Sequence, residues 1–376
     1  MMQISDVAQH SSGQWPALKI GKFSVPVPII QGGMGVGISL ANLAATVANL
    51  GGIGVIATAM IGINEPDIQT HSTQANVNAL VREIRLARSK TNGVLGVNVM
   101  VATTDFEALT QAAITEKIDI IFAGAGLPLA LPKFLEPDSQ TKLVPIVSSG
   151  RAATILCKKW LSGFHYQPDA FVVEGPLAGG HLGFERDQID DPAYALERLV
   201  PQVIEAVKPF EDRSGKAIPV IAAGGIYTGA DIYKFLQMGA AGVQMGTRFV
   251  ATHECDADDA FKQMYINARP EDLTIIKSPI GLPGRAIRNS FLRGVEAGEE
   301  MFEMCLFDCC KPCNPRTAPY CIAAALDNAR HGKLEDGFAF AGANAYRVTE
   351  IISVSELIAS LKEEYLAAAQ VEYARL

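Results

Sequence analysis

The sequence predicts a (β/α)8 TIM barrel, an α/β fold, with a C-terminal helical, Cys-rich appendage. From Pro28 onward, short β-branched runs alternate with longer helical patterns, which is how a parallel sheet with crossover helices reads. Eight such runs occur, the number that closes a barrel of typically about 250 residues. The alternation stops after Val250. An open doubly wound sheet is the alternative use of the same units.

The expected strands are 28–31, 53–58, 94–100, 118–124, 143–148, 170–174, 218–223 and 242–249. Their near-continuous apolar character suits strands buried on both faces. After the sixth, Leu196, Leu199, Val200, Val203, Ile204 and Val207 recur at three- and four-residue intervals, giving a helix with one apolar stripe. Thr228 and Asp231 form a capping-box-like start to the next helix, and Gly239 marks its end. Beyond Val250 come a helical stretch, a Gly/Pro/Arg segment over 278–289, a cysteine-rich stretch and a helical tail from Val354. The chain therefore divides into a lead-in (1–27), a barrel (28–290) and an appendage (291–376).

Composition narrows the function. Of 376 residues, 49% are hydrophobic and 19% charged, ample for a buried sheet. A net charge of −8 without a basic cluster argues against a nucleic-acid partner, since phosphate neutralisation needs grouped Lys and Arg. No apolar stretch is long enough to span a membrane, and residues 1–21 have no signal-type apolar core, so a cytoplasmic protein is expected. Five of the seven cysteines lie between Cys305 and Cys321, which matches no secreted disulfide framework. The paired spacing of a zinc or iron–sulfur site is absent, and reduced, packed thiols are expected with no metal. A homodimer is compatible with the sequence.

Three groups of strand-end residues carry chemistry. Gln31-Gly32-Gly33-Met34-Gly35-Val36-Gly37 follows the first strand, where glycines such as Gly33 allow main-chain N–H groups to reach a flat ligand and Met34 can cover one face of it. Gly224 and Gly225 follow the seventh strand, and Gly246 and Thr247 lie near the eighth. In barrels these last two loops frequently bind phosphate; turn-forming glycines are the plain alternative. The third is Ala178-Gly179-Gly180-His181-Leu182-Gly183 after the sixth strand, a glycine-rich loop delivering an imidazole able to exchange protons near neutral pH. Asn98, Ser148, Ser149 and Glu174 stand at other strand ends, each equally able to cap a helix. The Asn98 amide can both donate to and accept from a heteroaromatic edge. Such a set describes a flavin mononucleotide enzyme.

These segments, with Leu95-Gly96-Val97-Asn98, Pro219-Val220-Ile221-Ala222-Ala223-Gly224-Gly225-Ile226 and Gly242-Val243-Gln244-Met245-Gly246-Thr247, resemble the nitronate monooxygenase (2-nitropropane dioxygenase-like) family, whose relatives include flavin-dependent enoyl-acyl-carrier-protein reductases and NADH:quinone reductases. The resemblance covers about residues 28–289. It implies FMN, with its phosphate on Gly224, Gly225, Gly246 and Thr247, its isoalloxazine near Met34 and Asn98, and Gly180 also in contact. It implies His181 as the catalytic residue. Many members carry an acidic residue shortly before the Ala-Gly-Gly-His motif, where this chain has Pro176-Leu177. That removes one influence raising imidazole basicity, and Glu174 stands two residues further back. Arg285 and Arg288, in a segment that also resembles the family, are candidates for holding an anionic substrate part.

The expected activity is oxidative denitrification of alkyl nitronates with oxygen. The alternatives are NAD(P)H-dependent reduction of an enoyl thioester or quinone, and a non-catalytic, partner-binding barrel.

Overall fold

A computed structural model describes residues 15–299 and 307–373. Cys305, Met301 and Phe302 of the cysteine-rich stretch lie outside the described residues, as does the start of the lead-in. Eight parallel strands form one sheet. They are β1 (Ile29–Gln31), β2 (Gly54–Ala57), β3 (Leu95–Met100), β4 (Ile120–Gly124), β5 (Lys142–Val147), β6 (Phe171–Glu174), β7 (Val220–Ala223) and β8 (Gly242–Met245). Each pairs with its sequence neighbour, and β8 returns to pair with β1. The ring closes between β1 and β2, where Gln31 N–H donates to Ile53 O at 2.9 Å and Ile53 N–H to Ile29 O at 3.0 Å.

Alternation along these strands separates two cores. Ile30, Val55, Ile120, Phe122, Val144, Val172 and Ile221 point into the barrel, whereas Ile29, Ile56, Leu95, Val97, Ile121, Phe171, Val173 and Val220 face the helices. An antiparallel hairpin, Leu18–Ile20 with Phe23–Val25, closes the lower end: Leu18, Ile20 and Val25 are fully buried among the inward residues. Part of the lead-in is therefore a plug for the barrel.

The helix expected after the sixth strand is Leu196–Ser214, with Leu196, Leu199, Val200, Val203 and Val207 buried. Thr228 accepts from Asp231 N at 3.1 Å while Asp231 accepts from Thr228 N at 2.8 Å, completing the capping box that begins the helix Gly229–Gln237. The eighth strand is shorter than expected. It ends at Met245, and Thr247–Val250 forms one helical turn; the buried Phe249 and Val250 gave that turn the apolar run of a strand.

Past this turn, the sequence pattern did not show the hairpin Leu273–Lys277/Pro283–Ile287, which pairs with the two-residue strand Gly180–His181. The Cys-rich segment runs into the helix Ile322–Arg330. Cys309 and Cys321 are buried, and no group of three or more metal-ligating side chains is found among the described residues. The last helix, Val354–Tyr373, packs on Gly229–Gln237 and shares the outer barrel core through Leu357, Leu361 and Tyr365. Trp15, ahead of the plug, meets Tyr365 with ring centroids 5.8 Å apart.

The packing of the last helix is testable at Gly229, where a Cβ would stand 2.0 Å from Leu361 O and 2.4 Å from Tyr365 N. Gly229→Ala should destabilise the protein by about 1–3 kcal/mol through overpacking, read as a lower urea midpoint with unchanged slope. An unaltered midpoint would mean that the helix does not sit there.

Candidate functional site

Inward alternation governs the upper end of the barrel. Gly96 packs under the Phe122 ring, so Asn98, two residues on, also points inward. The same step carries Val144 through Ile146 to Ser148, and Val172 to Glu174. These side chains line a cavity of about 780 Å³ over the carboxyl ends of the strands, where barrel enzymes place their sites. Gly33, Met34, Asn98, Gly180, His181, Gly224, Gly225, Gly246 and Thr247, all singled out from the sequence, line this one cavity. Ser149 instead caps the helix Gly150–Phe164, accepting from Ala152 N at 3.2 Å.

The β1 loop is held from both sides. Gln31 is fully buried, its Oε1 accepting from Val55 N at 3.0 Å, and Gly32 N–H donates to Met245 O at 2.8 Å. Gly33 must lack a side chain, because a Cβ there would lie 2.3 Å from Asn98 Cβ. Met34 lies beside Gly246, its sulfur 3.5 Å from where a Cβ on that glycine would stand. The Asn98 carboxamide has no hydrogen-bond partner among the described residues, while its backbone oxygen accepts from Thr58 N at 3.1 Å and Thr58 Oγ1 at 3.0 Å.

At the far side, Gly224 and Gly225 take φ of +93° and +88°, values that only glycine adopts without cost. The Gly225 carbonyl is turned away, accepting from Asn344 Nδ2 at 2.6 Å. Among the described residues, the backbone N–H groups of Gly224, Gly225, Gly246 and Thr247 donate to no protein acceptor. Four unpaired N–H groups around one cavity fit an anion such as a phosphate. The Thr247 hydroxyl accepts from Gly342 N at 3.2 Å, leaving its own hydrogen to donate.

The hairpin that follows the barrel fixes His181. Gly180 and His181 pair with Arg285 and Gly284. His181 Nε2 lies 2.7 Å from Ser278 Oγ, and its ring packs edge-on to Phe340 at 4.9 Å. Ser278 Oγ also accepts from Ile280 N at 3.4 Å; a hydroxyl hydrogen given to Nε2 would place the proton of the neutral imidazole on Nδ1. Burial lowers the His181 pKa to about 4 and raises that of Glu174 to about 7. The surface each retains opens onto the cavity, and desolvation penalises the charged form of both. At neutral pH the imidazole is thus uncharged, and the carboxyl keeps its proton to a higher pH than an exposed glutamate does.

Ser278, Phe340 and Gly342 were not visible as site residues in the sequence. They lie 97 or more positions beyond His181, and the local signals near Ser278 are only Gly281 in the turn and Pro283 and Gly284 at the start of the second hairpin strand. The two candidate arginines face elsewhere. Buried Arg285 donates from Nη2 to Pro176 O at 2.9 Å, and Arg288 pairs with Glu296 at 2.5 Å on the surface; neither lines the cavity. Arg285 thereby braces the Pro176-Leu177 turn that precedes the histidine motif.

The chain matches the family model described as nitronate monooxygenase over residues 17–364. A Mycobacterium tuberculosis protein named (3aS,4S,5R,7aS)-5-hydroxy-7a-methyl-1-oxo-octahydro-1H-indene-4-carboxyl-CoA dehydrogenase is 28% identical over 72% of this chain and 66% of its own, so this chain spans just under two thirds of that relative's length. A probable nitronate monooxygenase from Staphylococcus haemolyticus is 27% identical over 73% of this chain and 79% of its own. The solved structure of FabK from Thermotoga maritima superposes with a TM-score of 0.71 at 27% identity, covering 94% of this chain and 96% of that one.

The assignment of the imidazole proton can be checked by 15N NMR. His181 should carry its proton on Nδ1 between pH 5 and 8 and titrate only near pH 4, and Ser278→Ala should mix the tautomers. Titration near the ordinary histidine value of about 6.5 would contradict the buried, Ser278-paired ring.

Proposed function

The chain belongs to the nitronate monooxygenase family and is on that ground a flavin-dependent oxidoreductase; we propose that its flavin is FMN and that it reduces the conjugated double bond of an enoyl thioester or quinone with electrons from NAD(P)H. The reading rests on the pairing of a carboxyl poised near pH 7 with a neutral, proton-bearing imidazole around one cavity. FMN, when bound, supplies a hydride after taking two electrons from the pyridine nucleotide. Its phosphate would take the unpaired N–H groups of Gly224, Gly225, Gly246 and Thr247, and its ring system would lie by Met34, Gly33, Asn98 and Gly180.

Hydride addition to a conjugated double bond leaves the substrate one proton short. The neutral carboxyl of Glu174 is the proton source, delivering to the carbon or oxygen that gains electron density. His181 Nδ1–H donates a hydrogen bond to the substrate carbonyl, and its uncharged state suits it to polarise that oxygen without surrendering the proton. Ser278 and Phe340 keep the ring in that orientation.

Oxidation of alkyl nitronates with oxygen is the second reading, favoured by the description of the matching family and by the staphylococcal relative's name. A nitronate is already deprotonated and needs no proton donor, so that reading leaves the elevated Glu174 carboxyl without a task. The two separate in anaerobic stopped-flow experiments. The reductase reading expects NADH or NADPH to bleach the visible flavin band rapidly, and a protein bleached by ethylnitronate alone overturns it.

For the proton source, kcat/KM should fall as pH rises through about 7, because the acid form of Glu174 is the active one and is lost above its pKa. Glu174→Gln should abolish that inflection. His181→Asn should keep the inflection and the flavin while losing at least ~10²-fold in turnover. An inflection that survives Glu174→Gln would exclude the carboxyl.

A further inference from the structure

The proposed flavin contacts occupy the part of the cavity under β7, β8 and the β1 loop; its other end is built differently. There Val36 and Met60, from the loops after β1 and β2, meet Cys310, Ala323 and Leu326 of the segment beyond the barrel. Backbone bonds fasten that segment to the loop after β3: Thr104 N–H donates to Cys309 O at 3.2 Å, and Lys311 N–H to Ala102 O at 2.9 Å. The result is an apolar wall assembled from residues far apart in sequence.

The charge around the cavity is one-sided. Among the described residues, its lining includes the carboxyls of Asp105, Glu174 and Glu185 and no Lys or Arg side chain. The two nearby cations lie outside the lining, and Lys311 is close enough to attract the Asp105 carboxylate. Lys311 Nζ donates to Val101 O at 3.3 Å, and Arg330 pairs with Asp327 at 2.9 Å. Asp105, close to the wall, accepts from Asn76 Nδ2 at 2.8 Å, and burial raises its pKa. An anionic group carried to this end would lose its hydration, meet no cation in the lining among the described residues and approach a carboxyl that already engages Lys311.

Resting on the reading of this cavity as the redox site, we infer that the substrate is an uncharged molecule whose apolar chain lies along the Val36, Met60 and Leu326 wall and whose carbonyl end reaches His181. A chain ending in a carboxylate or phosphate at this end of the cavity is disfavoured, because among the described residues no Lys or Arg side chain lines it to receive the charge. Each methylene buried against the wall adds affinity, and the gain stops where the wall ends.

Saturated methyl ketones from 2-butanone to 2-decanone test this by isothermal titration calorimetry with the full-length purified protein, since they carry the carbonyl and chain but no double bond to reduce. Kd should fall about three- to fourfold per added methylene until the wall is filled, and 9-oxodecanoate should bind at least ~10-fold more weakly than 2-decanone, as expected for a charge buried without a partner. Leu326→Arg should reverse that preference. Should this variant fail to fold, Ala323→Leu should shorten the best-bound chain. A Kd independent of chain length, or equal or tighter binding of the oxo acid or of an amine-ended ketone, overturns the inference. Because these ketones undergo no electron transfer, the length dependence stands even if pyridine nucleotides fail to bleach the flavin. Conversely, bleaching together with a flat ketone series overturns the substrate class alone.

Discussion

Side chains that point inward in a closed ring of parallel strands can go only to the barrel axis, and most features of this protein depend on that constraint. The lower part of the axis is filled by Ile30, Val55, Phe122, Val144, Val172 and Ile221, with Leu18 and Ile20 of the N-terminal hairpin beneath them. Two residues along the same strands, the inward positions become Asn98, Ser148 and Glu174, and they line the cavity. The packing register that seals the core thus also chooses which polar groups meet a ligand. It explains why a carboxyl can be held where burial favours its protonated form.

The other half of the site comes from outside the ring. The antiparallel pairing of Gly180–His181 with the strand Pro283–Ile287 fixes the histidine loop to a hairpin, and Ser278 and Phe340 fix the ring itself. The segment carrying Phe340 continues to Gly342 and Asn344, which bond Thr247 and Gly225. One stretch of chain therefore braces both the candidate acid–base group and the candidate phosphate loops, coupling the precision of one to the other.

Legibility in the sequence followed physical locality. The strands were readable because parallel strands buried on both faces are continuous apolar runs, and Gly224, Gly225 and His181 because strand-end chemistry sits beside them in sequence. Local pattern misled at 246–249, where a buried helical turn has the composition of a strand. Arg285 and Arg288 showed the limit of residue type alone: a guanidinium suits an anion, but one braces the Pro176 carbonyl and the other pairs with Glu296. Ser278, Phe340 and the Cys310–Leu326 wall had no local signal at all, since their placement depends on how a long irregular segment folds back over the barrel mouth.

The central claim is that the inward strand ends and the two glycine loops form a single flavin-holding cavity. Electron density from crystals of the full-length protein loaded with FMN tests it most directly. The account predicts the phosphate within hydrogen-bonding distance of the Gly224, Gly225, Gly246 and Thr247 N–H groups, with the ring system between Met34 and His181. Flavin bound outside this cavity, or a phosphate that leaves those four N–H groups unpaired, would contradict it.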